Sequence, residues 1–319
     1  MSNFFENKTV LVTGGSGFVG THFVQELLNK GAKIRVPLHN RKMIVNDPRI
    51  ELVTCDLSNI EQARAACKDV QYVVHAAGAV AAAGITSTNP MSAINTNLIL
   101  TTQTLQAAWD MGVERFLVFS SSTGYPATSH PVKEEEFWTG ETHSSYFGYG
   151  WMRRYLERIS EFVASKSKMG IALIRPTAVY GRHDDFDPIT SHVMPALIRR
   201  AVNKESPFTV WGTGNEVRDF LHITDLVHGC LEVLEKHAIC DPINIGYGQT
   251  VTIRDVVGHV LEAAGHKTDV IYDSTKPTAI PVRMVDTNKA SKILGFEPKL
   301  SLAQGIADTV HWYQSQLKK

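Results

Sequence analysis

The chain has 319 residues, 43% of them hydrophobic, with 32 basic and 32 acidic side chains, enough to bury a large core as one big domain or two smaller ones. Zero formal charge gives no global field toward nucleic acid or an anionic membrane, no apolar run approaches the ~20 residues of a bilayer span, and Met1-Ser2-Asn3-Phe4-Phe5-Glu6 is not a basic leader running into a long apolar stretch. Cys55, Cys67, Cys230 and Cys240 lack CxxC spacing, which argues against a metal site or a disulfide framework and predicts a cytoplasmic protein with reduced thiols, partnered by neither membrane nor nucleic acid.

In chain order, a short apolar strand from Lys8 to Val12 leads into Thr13-Gly14-Gly15-Ser16-Gly17-Phe18-Val19-Gly20. A helical segment follows from Thr21 to Lys30, with Phe23, Val24, Leu27 and Leu28 on one side. Strand, glycine loop and helix predict a dinucleotide site. Gly14 turns tightly, Gly17 admits a phosphate close to the backbone, and Gly20 lets the helix pack on the strand. The backbone from Ser16 through Phe18 and Val19 then offers free N–H groups to a pyrophosphate.

The second strand, Lys33 to Leu38, ends in His39-Asn40-Arg41-Lys42. An NAD-selective fold carries an acid there for the ribose 2′-OH; here cations stand in its place, so NADP is favoured over NAD, with Arg41 toward a 2′-phosphate. A solvated basic turn would read the same way. The third strand, Ile50 to Thr54, closes on Cys55-Asp56-Leu57, where Asp56 either accepts from an adenine amino group, beside Leu57, or caps a helix starting near Ser58. The fourth strand, Tyr72 to His75, runs into Ala76-Ala77-Gly78-Ala79, small enough for a cofactor to lie against backbone.

Ala93 to Met111 is helical, with Ile94, Leu98, Leu105 and Ala108 on one face and Asn97 in its first half. The fifth strand, Arg115 to Phe119, ends in Ser120-Ser121-Ser122-Thr123-Gly124-Tyr125-Pro126, hydroxyls at the strand end where open α/β sheets bind ligands. After a mixed polar stretch, Ala127 to Ser145, a helix runs from about Tyr149 to Ser165 with Met152, Leu156, Ile159 and Val163 buried, and Ile171 to Arg175 is a sixth strand. Strands alternating with helices predict an α/β protein with a doubly wound parallel Rossmann sheet.

Beyond Pro176 loops lengthen, Pro188, Pro195 and Pro207 interrupt the chain, and short strands (Phe208 to Trp211, Pro242 to Ile245) alternate with capped helices, one after Thr224 and one opened by Thr252 with Asp255. Gly295 stops a further helix after Leu294. The expected organisation is a dinucleotide-binding domain over residues 1–176 and a smaller mixed α/β substrate domain over 177–319, with segments returning to the first.

Tyr149-Gly150-Trp151-Met152-Arg153 puts a phenol and a guanidinium one turn apart on the same helix face, with Ser121 as a candidate third member. With these residues the chain resembles the extended short-chain dehydrogenase/reductases, whose motifs are TGxxGxxG, a small-residue strand end, a helix Asn, a Ser after the fifth strand, and Tyr-x-x-x-Lys. Thr13 to Gly20, Ala76 to Gly78, Asn97, Ser121 and Tyr149 match. The second half is similar to the GDP-L-fucose synthase branch, through Tyr180-Gly181-Arg182-His183-Asp184-Asp185-Phe186, Ser191-His192-Val193-Met194-Pro195, Val210-Trp211-Gly212-Thr213-Gly214, Arg218-Asp219-Phe220-Leu221-His222 and Asp273-Ser274-Thr275-Lys276-Pro277.

The resemblance implies hydride exchange between a nicotinamide cofactor and C4 of a nucleotide sugar, with Tyr149 moving the hydroxyl proton and Ser121 bonded to the same oxygen. A free phenol titrates near pH ~10, so service at neutral pH requires about 4 kcal/mol of differential stabilisation, the task of the neighbouring cation. Two positions depart from the pattern. Arg153 replaces the Lys, keeping the charge but as a planar fork; a match through Tyr146 would instead leave Gly150 in the cation's place. Thr123 stands where fucose synthases carry a Cys that works with a His, matched here by His192. A Thr hydroxyl is too weakly acidic for that epimerisation, so C4 oxidoreduction is the activity expected, and His192 is otherwise a structural polar residue.

For the nucleotide, the resemblance points to Arg200, Trp211, Arg218 and Lys276, each otherwise a surface cation or core aromatic. The expectation is an NADP-dependent oxidoreductase acting on a GDP-linked hexose or heptose. A 4-epimerase retaining its cofactor is the rival enzyme and a non-catalytic dinucleotide sensor the rival from another class. Pairing through sheet-flanking helices, common in the family, implies a homodimer.

Overall fold

The computed structural model describes residues 3–79, 89–276, 278 and 280–318; Met1, Ser2 and Pro277, quoted above, lie outside the described residues. The first half alternates strand and helix: β1 (Thr9–Thr13), α1 (Phe18–Asn29), β2 (Lys33–Leu38), β3 (Ile50–Thr54), α2 (Ile60–Cys67), β4 (Tyr72–His75), α3 (Pro90–Asp110), β5 (Arg115–Phe119), α4 (Phe147–Lys166) and β6 (Gly170–Pro176). The second half runs β7 (Ala178–Tyr180), α5 (Val193–Val202), β8 (Phe208–Trp211), β9 (Val217–Arg218), β10 (Phe220–His222), α6 (Ile223–Lys236), β11 (Ile243–Ile245), β12 (Val251–Thr252), α7 (Ile253–Ala263), β13 (Val270–Asp273), β14 (Val282–Arg283), α8 (Asn288–Leu294) and α9 (Leu302–Gln316).

The central sheet has seven strands in the order β11-β6-β5-β4-β1-β2-β3, and every pairing in it is parallel. Its inner strands are apolar on both faces, as a parallel sheet covered by two helix layers requires: β4 is buried throughout and β6 over its central five residues. The edge strand β3 is largely exposed. On one face α1 and α6 pack through Phe23, Val24, Leu27, Leu226, Val227 and Cys230. On the other, α2, α3 and α4 contribute Ala63, Leu105, Ala108 and Val163. A separate core among α5, α7 and α9, built on Leu197, Ile198, Val257, Val260, Ile306 and Val310, belongs to the second half. The chain recrosses between these bodies, because α6 lies in the first core and β11 extends the central sheet beside β6.

Two caps differ from expectation. Asn59 caps α2, accepting from Glu61 and Gln62 N–H, while Asp56 holds Ser58 in a local turn; the carboxylate is too early in the chain to reach the helix amides. His222 caps α6, with Nδ1 bonded to Thr224, so Thr224 is the cap's partner. Thr252 and Asp255 form the expected capping box, and Gly295 ends α8 at φ 68°. No described helix is long and apolar enough to cross a membrane.

The chain reverses sheet direction between β1 and β4, and their carboxyl ends define the crevice where such sheets bind ligands. Gly14, at φ 66°, turns there against Ala76, and a Cβ on Gly20 would stand 2.0 Å from the Gly14 carbonyl oxygen. Backbone on both sides leaves no flexible side chain to yield. Gly20→Ala is therefore expected to cost about 1–3 kcal/mol and to weaken dinucleotide binding, read by urea unfolding and by fluorescence titration with NADPH.

Candidate active site

The glycine loop opens α1 directly. Gly17 occupies the N-cap position with no side-chain cap bond, its N–H bonded back to Gly14 O at 2.8 Å, and Ser16 to Val19 are half-buried. The amides of the first helical turn have no side-chain acceptor, an arrangement that takes an anion. The Arg41 guanidinium approaches within 4.0 Å of the position a Cβ on Gly17 would take, putting a cation over the loop at the end of β2. Asp56 lies at the end of β3 and is exposed to solvent on its carboxylate, with Leu57 buried beneath it. The strand, loop and cradle features therefore fit a dinucleotide.

A polar relay fixes the small-residue end of β4. Thr13 Oγ1 accepts from Ala77 N–H at 3.0 Å and meets His75 Nδ1 at 3.0 Å; His75 Nε2 meets Thr101 Oγ1 at 3.2 Å. Burial, and secondarily the charge of Arg153, push His75 down to about 3, so the ring is neutral. Asn97, 2% exposed, donates to Ala79 O and Ala93 O, each at 2.7 Å. Its Oδ1 lies against Gly78, where a Cβ would stand 2.5 Å away.

Tyr149 and Arg153 meet in this crevice. Arg153 Nη2 donates to Tyr149 Oη at 2.5 Å and to Asn97 Oδ1 at 3.5 Å, while Nη1 donates to Phe119 O at 2.8 Å. The guanidinium also lies 4.9 Å from the phenol ring centroid. The fork that replaces a lysine thus reaches the phenol, the end of β5 and the helix asparagine together, positive charge and donor on an oxygen that can pass a proton. The loop carrying Ser121 and Thr123 packs on the same helix turn: a Cβ on Gly150 would stand 2.6 Å from Thr123 O and 2.8 Å from Thr142 Cγ2. Ser121 Oγ accepts from Thr123 N–H at 3.1 Å. Thr123 Oγ1 and Thr142 Oγ1 are buried with no hydrogen-bond partner among the described residues.

Across the cleft the second half supplies cations. Strands β9 and β14 place Arg218 and Arg283 in direct register, both half-buried. Arg218 donates to Val217 O and Pro281 O, and Arg283 lies 3.9 Å over the Tyr146 ring. Burial lowers the pKa of both, and Arg218 lowers that of Arg283 further. Neither is in an ion pair among the described residues, and adjacent guanidiniums favour a polyanion such as a diphosphate between them. A small cavity lined by Ser122, Tyr125, Thr128, Val282, Arg283 and Met284 sets Arg283 beside the loop that follows Ser121. Arg283 escaped the sequence reading because its pairing with Arg218 spans two strands of two residues each. The same contact occupies Tyr146, the alternative phenol.

The remaining candidates are dispersed. Trp211 ends β8 with 59% of its surface exposed, free to stack on a base, and Lys276 is exposed three residues beyond β13. Arg200 is held by the Glu205 carboxylate and by Thr209 O at 2.6 Å. His192 is exposed at the N-cap of α5 without a side-chain cap bond.

The model of the NAD dependent epimerase/dehydratase family matches residues 10–246. GDP-L-fucose synthase 1 of Arabidopsis thaliana is 32% identical over 97% of this chain and 94% of its own length. The dTDP-4-dehydro-6-deoxy-D-allose reductase of a Streptomyces species is 28% identical over 96% of each chain. Among solved structures, UDP-glucose 4-epimerase of Thermotoga maritima, bound to UDP-glucose, superposes with a TM-score of 0.85 at 25% identity, covering 97% of this chain and 99% of that one.

The neutral ring of His75 has a consequence for stability. The unfolded chain protonates it below its ordinary pKa of about 6.5, whereas the folded protein does so only near the lowered value of about 3. The unfolded state binds more protons between those limits, so folding stability falls as pH falls through this window. His75→Gln is expected to flatten that slope by up to about 1.4 kcal/mol per pH unit in urea unfolding between pH ~4 and 6. An unchanged slope would mean the ring is charged in the fold.

Proposed function

The chain belongs to the NAD dependent epimerase/dehydratase family, and we propose from this that it is a nucleotide-sugar oxidoreductase, moving a hydride between a nicotinamide cofactor and C4 of a GDP-linked hexose or heptose, as a 4-keto reductase or a 4-dehydrogenase. The observation that carries the reading is the 2.5 Å bond from Arg153 to Tyr149 Oη in the crevice that the glycine loop opens.

The chain's own residues divide the work. The first-turn amides of α1 and the loop Gly14 to Val19 hold the pyrophosphate, Ala76 to Gly78 and Asn97 line the path of the dinucleotide, and Arg41 takes a 2′-phosphate, which makes NADP the preferred form. Tyr149 Oη exchanges the carbinol proton at C4, and Arg153 donates a hydrogen bond to that oxygen. Ser121 offers its hydroxyl to the sugar, and the Thr123 hydroxyl is buried in the same loop. Arg218 and Arg283 clamp the diphosphate, with Trp211 available to the base and Lys276 at the rim. Arg200, engaged by Glu205, orders the base site through α5 and β8. His192, exposed at the N-cap of α5, lacks the thiol partner that C3 and C5 epimerisation uses in fucose synthases, so C4 oxidoreduction is the activity retained. Four free thiols suit a cytoplasmic enzyme.

Tyr149→Phe is expected to lower turnover 10²- to 10⁴-fold with the NADPH dissociation constant unchanged within about twofold. The assay follows nicotinamide absorbance with a panel of GDP-, UDP-, CDP- and dTDP-4-keto sugars; a variant at wild-type rate would remove the proton-transfer role. The 4-epimerase reading draws on the likeness to UDP-glucose 4-epimerase and would show as purified protein carrying tightly bound NAD and turning over without added cofactor.

We also propose a homodimer through α3 and α4. Phe147, Trp151, Tyr155 and Phe162 fall on one stripe of α4 and are 39–59% exposed, with Met91 and Ile99 exposed on the adjacent α3. A two-fold axis between these helices would bury the stripe against its own copy. Analytical ultracentrifugation is expected to give twice the chain mass for the wild type and the single-chain mass for Tyr155→Glu with Phe162→Glu; a monomeric wild type would refute the dimer.

A further inference from the structure

Tyr149 and Arg153 continue, one turn further along the same face of α4, into a carboxylate that faces no cleft. Glu157 is 0% exposed and Arg175, at the end of β6, 2%. Arg175 Nε and Nη2 donate to the two Glu157 oxygens at 2.9 and 2.7 Å. Ser120 Oγ, itself buried, donates to Glu157 Oε1. The second edge of Arg175 donates to Tyr125 Oη at 3.0 Å and Glu134 O at 2.8 Å, and Tyr125 Oη donates onward to Asn244 on β11 at 2.7 Å.

The loop that carries Ser121 and Thr123 is therefore pinned at both ends, at Ser120 and at Tyr125, by one ion pair whose carboxylate belongs to the helix that carries Tyr149. A second tie runs from that helix to the same loop: buried Arg154 donates to Gly124 O at 2.8 Å, and to Phe137 O and Gly140 O at 2.6 Å each. A buried pair is a weak source of net stability but has a directional, fully bonded geometry. What this one fixes is the separation between two elements that must act on the same sugar carbon.

We propose that Ser120 and Glu157, with Arg175, are positioning residues for the C4 reaction, setting the distance between the Tyr149 phenol and the Ser121–Thr123 hydroxyls. The proposal rests on the proton-transfer reading of Tyr149. Small misplacement of reacting groups costs rate far more than affinity, so the effect falls on kcat.

Ser120→Ala removes one hydroxyl joint and leaves the ion pair whole; Glu157→Gln keeps shape and removes the charge. With whichever 4-keto sugar of the panel turns over, Ser120→Ala is expected to lower kcat about tenfold and Glu157→Gln about a hundredfold. KM for the sugar and the NADPH dissociation constant stay within about twofold, and the primary isotope effect from 4-deuterated NADPH rises. Thermal unfolding checks that each variant is folded, and Ser120→Ala carries the test should Glu157→Gln fail to fold. If Tyr149→Phe is inactive while Ser120→Ala keeps wild-type kcat, or loses only thermal stability, the positioning role is overturned and the enzyme reading stands. Full turnover in Tyr149→Phe, or none in the wild type with any sugar, overturns both.

Discussion

The cleft is arranged around the acceptors that the two terminal nitrogens of one guanidinium reach. Arg153 must find acceptors for a planar fork inside a half-buried helix face, and it takes Tyr149 Oη, Phe119 O and Asn97 Oδ1. That demand propagates. Asn97 turns its amide oxygen toward the cation and spends its two N–H donors on Ala79 and Ala93 carbonyls, which ties the end of β4 to α3. His75, facing the same charge from the core, is neutral. A lysine would present one point charge; the arginine welds strand, helix and phenol into a single unit. The two terminal nitrogens of the arginine that departs from the Tyr-x-x-x-Lys pattern meet acceptors already in place, while its Nε is buried without a hydrogen-bond partner among the described residues.

The cations of the second half answer a different problem. Arg218 and Arg283 sit in register on strands β9 and β14, half-buried and in no ion pair among the described residues, with Glu216 the carboxylate that acts on Arg218. Desolvated like charges side by side are unfavourable unless an anion joins them, so the fold stores an unmet demand for negative charge at the mouth of the cleft. Opposite it, the α1 amides pose a similar demand. The proposed function assigns the first demand to the nucleotide sugar and the second to the dinucleotide, a division that accords with membership of the epimerase/dehydratase family.

Beneath the cleft the chemistry changes from exchangeable to fixed. Glu157, Arg175, Ser120, Tyr125 and Asn244 form a closed set of buried bonds joining α4, β6, the loop after β5 and β11. Because β11 comes from the second half of the chain, this set also couples the returning segment to the helix that carries the phenol.

Local periodicity was enough for the sequence to reveal the strand–glycine loop–helix start, the parallel sheet and the Tyr149–Arg153 stripe. Each depends on residues within a few positions of one another, where φ/ψ preference and side-chain spacing act directly. Element ends were less legible: the caps at Asn59 and His222 turn on which side chain reaches an amide, a matter of ångströms. The partnership of Arg283 with Arg218, the neutrality of His75, the engagement of Arg200 by Glu205 and the return of β11 to the central sheet were invisible, since each joins positions brought together only by packing. Residue types announce what chemistry is possible; burial and register, which are properties of the folded chain, settle which of those groups are left to perform it.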